Sequence, residues 1–460
     1  MISDIKSYPE YRDSGLPWLG QVPRHWEMRP AFGAFTPIHE RNEGMKEKTV
    51  LSLSYGRIIL KPEAKLHGLV PESFETYQIV NPGDIILRTT DLQNDHTSLR
   101  VGMVRNRGII TSAYLALKVM KGLLAVYGFQ ILNVWDSSKA IYGYGSGLRQ
   151  NLDFSHFKRM LVPVPPSSEQ AAIVRFLDWA SGHIERAIRA KRRIITLLTE
   201  QRQVIIHRAV TRGVDPTVCL RDSGIPWLGE IPEHWAVVRN LALFSVRIEQ
   251  GIPGLPVLQV SLHSGITAEE LDQFGRPKRL ISDHTKYKLV RKNDLAYNTM
   301  RMWQGAIGVS AEDGLVSPAY VVIKPREGVD SRFYEFVFRT STYKQQVNRF
   351  STGIVSDRNR LYWESFKQMP NIQIPLAEQQ GICRYIMERT SSLDATILRL
   401  NREIDFLREY RTRLVADVVT GKLDIQEAAS HLPDEIPVDE ETAADNDTEE
   451  SENEDEEALA

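Results

Sequence analysis

Two triplets, Arg149-Gln150-Asn151 and Arg358-Asn359-Arg360, set guanidinium and carboxamide groups side by side at positions 209 residues apart. Such groups offer planar pairs of donors and acceptors, suited to bidentate hydrogen bonding. Residues for making and breaking bonds are harder to find. No G-x-x-x-x-G-K-[ST] loop is present, so no nucleotide hydrolysis is implied. Gly143, Gly145 and Gly147 in YGYGSGL do not sit between a strand and a helix and read as a loop. Ser317-Pro318-Ala319-Tyr320 has a faint likeness to the N-P-P-Y of adenine methylases, but lacks the Asn or Asp that would hold a base amino group and reads as strand. Glu63-Ala64-Lys65 lacks the upstream Pro-Asp that would complete a nuclease site. The eleven His are scattered without metal-ligand spacing, and His25 and His234, each beside a Trp, read as packing or capping groups. The chain reads as a binder, with no catalytic residue and no metal site expected.

The 460 residues suffice for two or three domains with proper cores, and the 42% hydrophobic, 25% charged composition is that of a globular protein. No run of 18 apolar residues exists, so no membrane span is expected, and MISDIKSYPEYRDSG lacks the apolar core of a signal peptide. Cys219 and Cys383 are isolated, which argues against a zinc site or disulfide framework and fits a reducing, cytoplasmic location. The net charge of −2 hides an uneven distribution: from Leu423 onward there are 16 Asp and Glu and no Lys or Arg, leaving 57 basic and 43 acidic residues before it. A body with that excess suits a polyanion, or else merely keeps the surface soluble. The tail, with little apolar content, is expected to be disordered; it either screens the basic body or is an inert extension.

The elements that must position these groups come twice. RDSGLPWLGQVPRHW (Arg12–Trp26) and RDSGIPWLGEIPEHW (Arg221–Trp235) agree at eleven of fifteen positions. The same shift aligns Phe157, Lys158, Met160, Pro166, Glu169 and Gln170 with Phe366, Lys367, Met369, Pro375, Glu378 and Gln379. Each half opens with short β-type runs (VLSLSYGRIIL, GDIILRTT, ITSAYLALKV; LVSPAYVVIKP), passes a Pro-rich joint (VPVPPSSEQ; IQIPLAEQQ) and ends in a long helical segment. The ends of the halves match and the middles diverge, as in a common frame carrying two readouts; drift of surface loops would leave the same trace.

In the second helical segment Ile386, Leu393, Leu400, Leu407 and Leu414 recur every seven residues, with Thr390, Ile397, Ile404, Arg411 and Val418 four residues behind them. The first holds Leu177, Ile184, Lys191, Leu198 and Ile205, then Ser181, Ile188, Ile195, Arg202 and Ala209. These are seam positions of a coiled coil over about five heptads, in helices about 60 Å long. An antiparallel pair would hold the two globular parts at opposite ends, and a parallel pair would bring them together; the antiparallel coiled coil is expected. Arg202 and Arg411 share one seam slot and should reach the seam edge or a partner. Trp18, Trp26, Trp227 and Trp235 should anchor a Pro-stiffened lead-in against the domain and the helix base.

Two mixed domains, each followed by Pro-x-x-Glu-Gln and a long heptad helix, resemble the specificity subunit of type I restriction–modification enzymes over about residues 10–422. Gly83-Asp84-Ile85-Ile86-Leu87, Ser112-Ala113-Tyr114 and the Gly-Ser/Thr-Gly loops at Gly145–Gly147 and Ser351–Gly353 support it locally; the acidic tail is a departure. The resemblance implies a mixed α/β fold with two target-recognition domains, 1–165 and 213–375, and two coiled-coil helices, 166–212 and 376–422; composition adds a disordered tail, 423–460. It implies a non-catalytic subunit that binds a split, asymmetric sequence in double-stranded DNA and docks two methyltransferase subunits and motor–endonuclease subunits. Those partners would use S-adenosylmethionine, ATP and magnesium, with no cofactor held in this chain.

Base edges are read by Arg, Asn and Gln, and phosphates are held by Lys, Arg, Ser and Thr. The expected contacts in the first half are Ser54, Tyr55 and Arg57, then Arg88, Thr89 and Thr90, then Ser146, Arg149, Gln150 and Asn151. Those in the second are His263 and Ser264, then Asn298, Arg301 and Gln304, then Ser356, Arg358, Asn359 and Arg360. Rival readings are a stand-alone two-headed DNA-binding protein, an unrecognised nuclease, and a coiled-coil adaptor that binds only protein. Exchanging residues 20–160 for another such domain is expected to change one half of the methylated sequence, as read by mapping methylated adenines; a change in both halves would sink the two-head reading.

Overall fold

A computed structural model describes residues 5–61, 73–90, 92, 99–144, 151–262, 265–268, 286–352 and 359–433. The segment expected to be disordered, 423–460, is ordered at its start: a short helix, Gln426–Ser430, buries Ile425, Ala429 and Leu432, which recur at helical spacing, in the same core as Trp26, while 434–460 lies outside the described residues. Contacts divide the chain into unit 1, residues 1–190 with 403–460, and unit 2, residues 191–402. The boundaries read from sequence follow helix ends, whereas this division runs through both long helices, because the two halves of each helix bury their apolar residues in different cores.

Unit 1 comprises β1 (Tyr11–Asp13), β2 (Gln21–Pro23), β3 (Glu27–Pro30), α1 (Ala31–Ala34), β4 (Phe35–Pro37), β5 (Leu51–Ser54), β6 (Arg57–Leu60), β7 (Gln78–Val80), β8 (Ile85–Leu87), β9 (Val101–Met103), β10 (Gly108–Ile110), β11 (Leu115–Val119), α2 (Ala125–Ser137), α3 (Phe154–Phe157), β12 (Leu161–Val164) and the start of α4 (Ser167–Arg212). Its antiparallel sheet has the order β4-β11-β8-β9, and β1–β2, β3–β12, β5–β6 and β7–β10 are two-stranded. β8 is buried throughout. Ile85 and Leu87 join the core of Tyr127, Ile131, Leu132 and Trp135 from α2, while Ile86 joins Leu51, Val80, Val104 and Ile110. A strand with a core on each face needs a continuous apolar run, which is why GDIILRTT does not alternate.

Unit 2 holds the rest of α4, then β13 (Leu220–Asp222), β14 (Glu230–Pro232), β15 (Ala236–Arg239), α5 (Asn240–Leu243), β16 (Phe244–Val246), β17 (Leu258–Ser261), β18 (Gly265–Ala268), β19 (Lys288–Val290), β20 (Leu295–Asn298), β21 (Ile307–Val309), β22 (Gly314–Val316), β23 (Tyr320–Pro325), α6 (Ser331–Phe338), α7 (Ser341–Phe350), α8 (Trp363–Phe366), β24 (Pro370–Gln373) and the start of α9 (Leu376–Val419). The sheet order, β16-β23-β20-β21, repeats that of unit 1, and so do the two-stranded pairs. Leu295 and Tyr297 enter one core and Ala296 the other. Ser317–Tyr320 is a turn into β23, the Tyr320 amide donating to the Ser317 carbonyl at 2.9 Å. Glu63-Ala64-Lys65 lies outside the described residues.

The duplicated lead-in and the Pro-x-x-Glu-Gln joint meet. In unit 1 the Glu169 carboxylate, 4% exposed, accepts from the Trp26 indole (2.8 Å) and the Tyr8 hydroxyl and bonds His25 at 2.9 Å. Burial, then the bond to Glu169, push Tyr8 far above the ordinary phenol range, so it stays protonated and donates. Gln170 is fully buried: its amide donates to the Gly122 and Pro165 carbonyls, and its oxygen accepts from the Leu124 amide that opens α2. In unit 2 Glu378 takes Trp235 (3.0 Å) and His234 (2.9 Å), and Gln379 makes the same three bonds to Gly328, Ile374 and Asp330. Arg12 and Arg221 tie back to the carbonyls of Trp26 and Trp235.

The far end of the other helix closes each assembly. Gly421 (φ 77°) follows α9 in unit 1, and a Cβ there would meet Pro23 and Trp26 at 2.4–2.8 Å. Gly213 (φ 74°) follows α4 in unit 2, where a Cβ would lie 3.5–3.9 Å from Glu378, Trp235 and Pro232. Both are left-handed helix ends; at Gly421 glycine serves geometry and space together, whereas at Gly213 the contacts are ordinary and the backbone conformation alone favours it. Lys6 bridges Asp424, and the Tyr11 hydroxyl donates to the Lys422 carbonyl.

Within each unit the two helical segments run in opposite directions. In unit 1 Glu185 pairs with Arg411, while nearer the start of α4 the Tyr127 hydroxyl bridges the Pro163 and Val419 carbonyls. In unit 2 Arg202 pairs with Asp394 at 2.8 Å, while farther along α4 Gly213 abuts Glu378. The two seam arginines thus meet carboxylates on the other helix. Leu177, Ile184, Ile188, Ile386, Leu400, Ile404, Leu414 and Val418 are buried, and Ile195, Leu198, Ile205, Leu393, Ile397 and Leu407 are half-buried. Glu169→Ala should cost about 2–3 kcal/mol, since it orphans buried donors, and the more exposed Glu378→Ala about 1 kcal/mol; urea unfolding of the full chain measures both, and equal costs would contradict the burial argument.

Candidate nucleic-acid interface

The described members of the expected contact set lie at one end of each four-stranded sheet. In unit 1, Tyr55 (φ 43°) and Gly56 (φ 77°) form the two-residue turn between β5 and β6, with Ser54 paired to Arg57. Two successive positive-φ residues make the type I′ turn that suits strand twist. The hairpin lies on β9: a Cβ on Gly102 would stand 2.5–2.9 Å from Leu53 and Ile58, and one on Gly56 would stand 3.0 Å from Leu99. Tyr55 and Arg57 are exposed and Ser54 is half-buried.

The next residue, Arg100, is fully buried and organises the second expected loop. Its guanidinium donates to the carbonyls of Arg88 (3.3 Å) and Thr90 (2.8 Å) and to the Tyr142 hydroxyl (3.3 Å), and its amide donates to Asp136 at 2.6 Å. Three charge-assisted bonds from one buried cation hold the loop in a single shape. Arg88 and Thr90 are half-buried. Thr89 departs from expectation: it is buried and its hydroxyl donates to the Ala113 carbonyl at 3.5 Å, so it is part of the frame. Its carbonyl accepts from the Leu152 amide (2.8 Å), which brings exposed Asn151 to the same place. Ser146, Arg149 and Gln150 lie outside the described residues.

Unit 2 repeats the join. The Leu361 amide donates to the Thr299 carbonyl (2.9 Å), and the Thr299 hydroxyl donates to the Ala319 carbonyl (3.0 Å). This brings Asn359 and Arg360 to the turn that holds Asn298, Arg301 and Gln304. Asn298 is half-buried, and its carboxamide oxygen accepts from the Met300 amide at 2.9 Å, so one face of it shapes the turn. Arg301 and Gln304 are half-buried around a 3-10 turn, Met302–Gln304, that packs on α7. Asn359 donates to the Asn348 carboxamide oxygen (3.3 Å), and Arg360 donates to the Tyr362 hydroxyl (3.4 Å). His263, Ser264, Ser356 and Arg358 lie outside the described residues. On α7, Lys344 is half-buried, its pKa lowered by burial and by Arg339, while Arg349 is exposed.

Among the described residues no cluster of His, Cys, Asp and Glu is placed to hold a metal ion, and no helix is long and apolar enough to cross a membrane. Among the described residues the arrangement presents amides, guanidinium groups and hydroxyls at the sheet ends, groups suited to binding. No family model and no curated protein matches the chain. Solved structures do. A chain from a structure of complex assembly and conformational transition of the type I restriction–modification system superposes with a TM-score of 0.58 at 14% identity, covering 87% of this chain and 99% of that one. The fold is that of a type I restriction–modification component. Also similar are the HsdS subunit from Thermoanaerobacter tengcongensis, at 15% identity, TM-score 0.40 and coverage of 87% and 98%, and the type I S subunit from M. genitalium, at 11%, 0.33, 86% and 96%.

Sequence reasoning missed Arg100, because SLRVGM reads as an exposed strand start and no local pattern marks a buried guanidinium. It also missed the outer face of α7, although Tyr343, Val347 and Phe350 in STYKQQVNRF carry a legible helical period. Arg100→Met is expected to cost about 3 kcal/mol by orphaning buried carbonyls and to speed hydrogen exchange at Arg88–Thr90; unchanged protection there would show that the loop is held by other contacts.

Proposed function

We propose that the chain is the DNA-sequence specificity subunit of a type I restriction–modification complex. One observation carries the reading: the same sheet order occurs in both units, and in each the polar loops converge on the same end of the sheet through equivalent backbone bonds, Leu152 to Thr89 and Leu361 to Thr299. A shared frame with different side chains at its tip is what reading two different half-sites requires. Each unit is then a target-recognition domain, and the target is bipartite and asymmetric.

The two long helices form an antiparallel coiled coil that sets the spacing between the heads. Support comes from the opposed direction of the helical segments in each unit and from the carboxylates that meet Arg202 and Arg411. At 1.5 Å per residue, helices of 46 and 44 residues are roughly 65–70 Å long, ample to separate two domains by one or more turns of duplex. Exposed apolar residues on the helices, among them Leu197, Val204, Leu398 and Phe406, suit docking of further protein. On this reading the partners are two methyltransferase subunits, which bring S-adenosylmethionine, and motor–endonuclease subunits, which use ATP and magnesium. This chain contributes recognition and scaffolding and no chemical step.

Mapping methylated adenines with and without this gene tests the reading: a split motif that disappears with the gene is expected, and an unchanged methylome would refute it. Inserting one heptad between Thr196 and Arg202 should lengthen the non-specific spacer, and an active variant with the original spacer would count against the helices as a ruler.

A further inference from the structure

The second unit carries a helix for which unit 1 shows no counterpart among the described residues. After α6, ten residues form α7, whereas after α2 the described chain of unit 1 continues only as a 3-10 turn, Ala140–Tyr144. α7 is fixed firmly. Thr340 caps it, its hydroxyl accepting from the Tyr343 amide at 3.3 Å. Tyr343 is fully buried, with its hydroxyl accepting from Asn240 (2.8 Å) and its ring edge-on to Trp227 at 5.0 Å and to Phe338 at 4.9 Å. Trp227 belongs to the duplicated lead-in, so the helix is seated on the frame itself.

The opposite face of α7 is uncommitted to the core. Gln345, Asn348 and Arg349 are exposed at i, i+3 and i+4, and with Asn359 they line an open hollow of about 470 Å³. Among the described lining residues three carry carboxamides and the fourth a guanidinium. A solvated helix face needs no such selection, and this set matches purine edges in the major groove, where Asn and Gln bind adenine N6 and N7 and Arg binds guanine O6 and N7. The helix is about 15 Å long, a size the groove admits.

One contact narrows the assignment. The Asn359 amide donates to the Asn348 oxygen at 3.3 Å, and Asn359 is itself held next to the paired backbone bonds of Arg360 with Thr352, both 3.0 Å. In this arrangement the Asn348 carboxamide oxygen is turned toward Asn359. Its oxygen keeps a second lone pair for an adenine N6 hydrogen, and its nitrogen keeps donors for N7. Resting on the specificity-subunit reading above, we propose that α7 is a base-reading helix of the second unit, in which Asn348 recognises an adenine of that half-site and Asn359 is its positioning residue.

The test uses the full chain with its methyltransferase partner in cells, with methylated adenines mapped genome-wide. Asn348→Ala should relax the motif at one A·T pair of one half-site, lowering discrimination there about 10- to 100-fold, while the other half-site stays strict. Asn348→Asp, which keeps the shape but removes the donor to N7, should shift the preference at that pair toward cytosine, whose amino group a carboxylate can accept. Asn359→Ala should blur the same pair and no other, and Asn359→Ser, which retains a donor, should restore part of it. Strict wild-type motifs in the Asn348 variants would overturn the proposal. Where a variant methylates nothing, binding of the purified chain to duplexes varied one base pair at a time reads the same discrimination, and uniform weakening at every position would also overturn it. If the wild-type chain directs no methylation and binds no duplex, the specificity-subunit reading falls instead.

Discussion

A carboxylate at the base of each long helix carries the architecture. Glu169 and Glu378 stand where a domain ends and a helix begins, and each accepts an indole N–H and a histidine from the duplicated lead-in. Burying such an anion is tolerable only when donors surround it, and those donors arrive from the start of the same half, 143–144 residues earlier in the chain. The neighbouring glutamine closes on the loop that leads into α2 in unit 1 and into α6 in unit 2. One dipeptide therefore joins the start of a domain, its middle and its exit, and the glycine at the end of the other helix packs against the same tryptophan. With these points fixed, the direction in which each helix leaves its domain is fixed as well.

The sheet supplies the second constraint. A strand with cores on both faces cannot vary without disturbing two sets of packing, so β8 and β20 keep their apolar character while the residues just beyond them are free to differ. The transition from frame to readout is sharp. Thr89 and Thr299 are buried and donate to equivalent carbonyls, whereas Arg88, Thr90 and Arg301 beside them are more open. Unit 1 steadies its loop with a buried Arg100, and unit 2 steadies its turn with a 3-10 segment packed on α7. Equivalent positions thus reach rigidity by different means, which lets the two tips diverge in chemistry without losing preorganisation.

Much of this was legible in the sequence because repetition exposed it. The heptads located both long helices, since an apolar period of seven has few other causes. The duplicated Trp and the Glu-Gln joint marked shared structure. Contacts among these pieces were hidden, because nothing local says that Trp26 seeks Glu169 or that Gly421 must make room for it. The loop residues were chosen by chemical type, which cannot separate a hydroxyl in the frame from one at the surface, as Thr89 illustrates. Arg100 was invisible for the opposite reason: arginine is usually exposed, and only the assembled fold reveals carbonyls that need it.

Unit 1 is built from both ends of the chain. Its core includes Leu414, Val418, Ile425, Ala429 and Leu432 alongside Trp26, Phe157 and Phe176, whereas unit 2 is one uninterrupted stretch. During synthesis on the ribosome the first unit has most of its strands early but lacks the wall supplied by α9 and α10 (Gln426–Ser430) until almost the last described residue has emerged. The second unit has all its own parts sooner. The order of translation and the order of completion are therefore reversed: the half made first waits, with an apolar surface open, for the half made second to hand it the end of a helix.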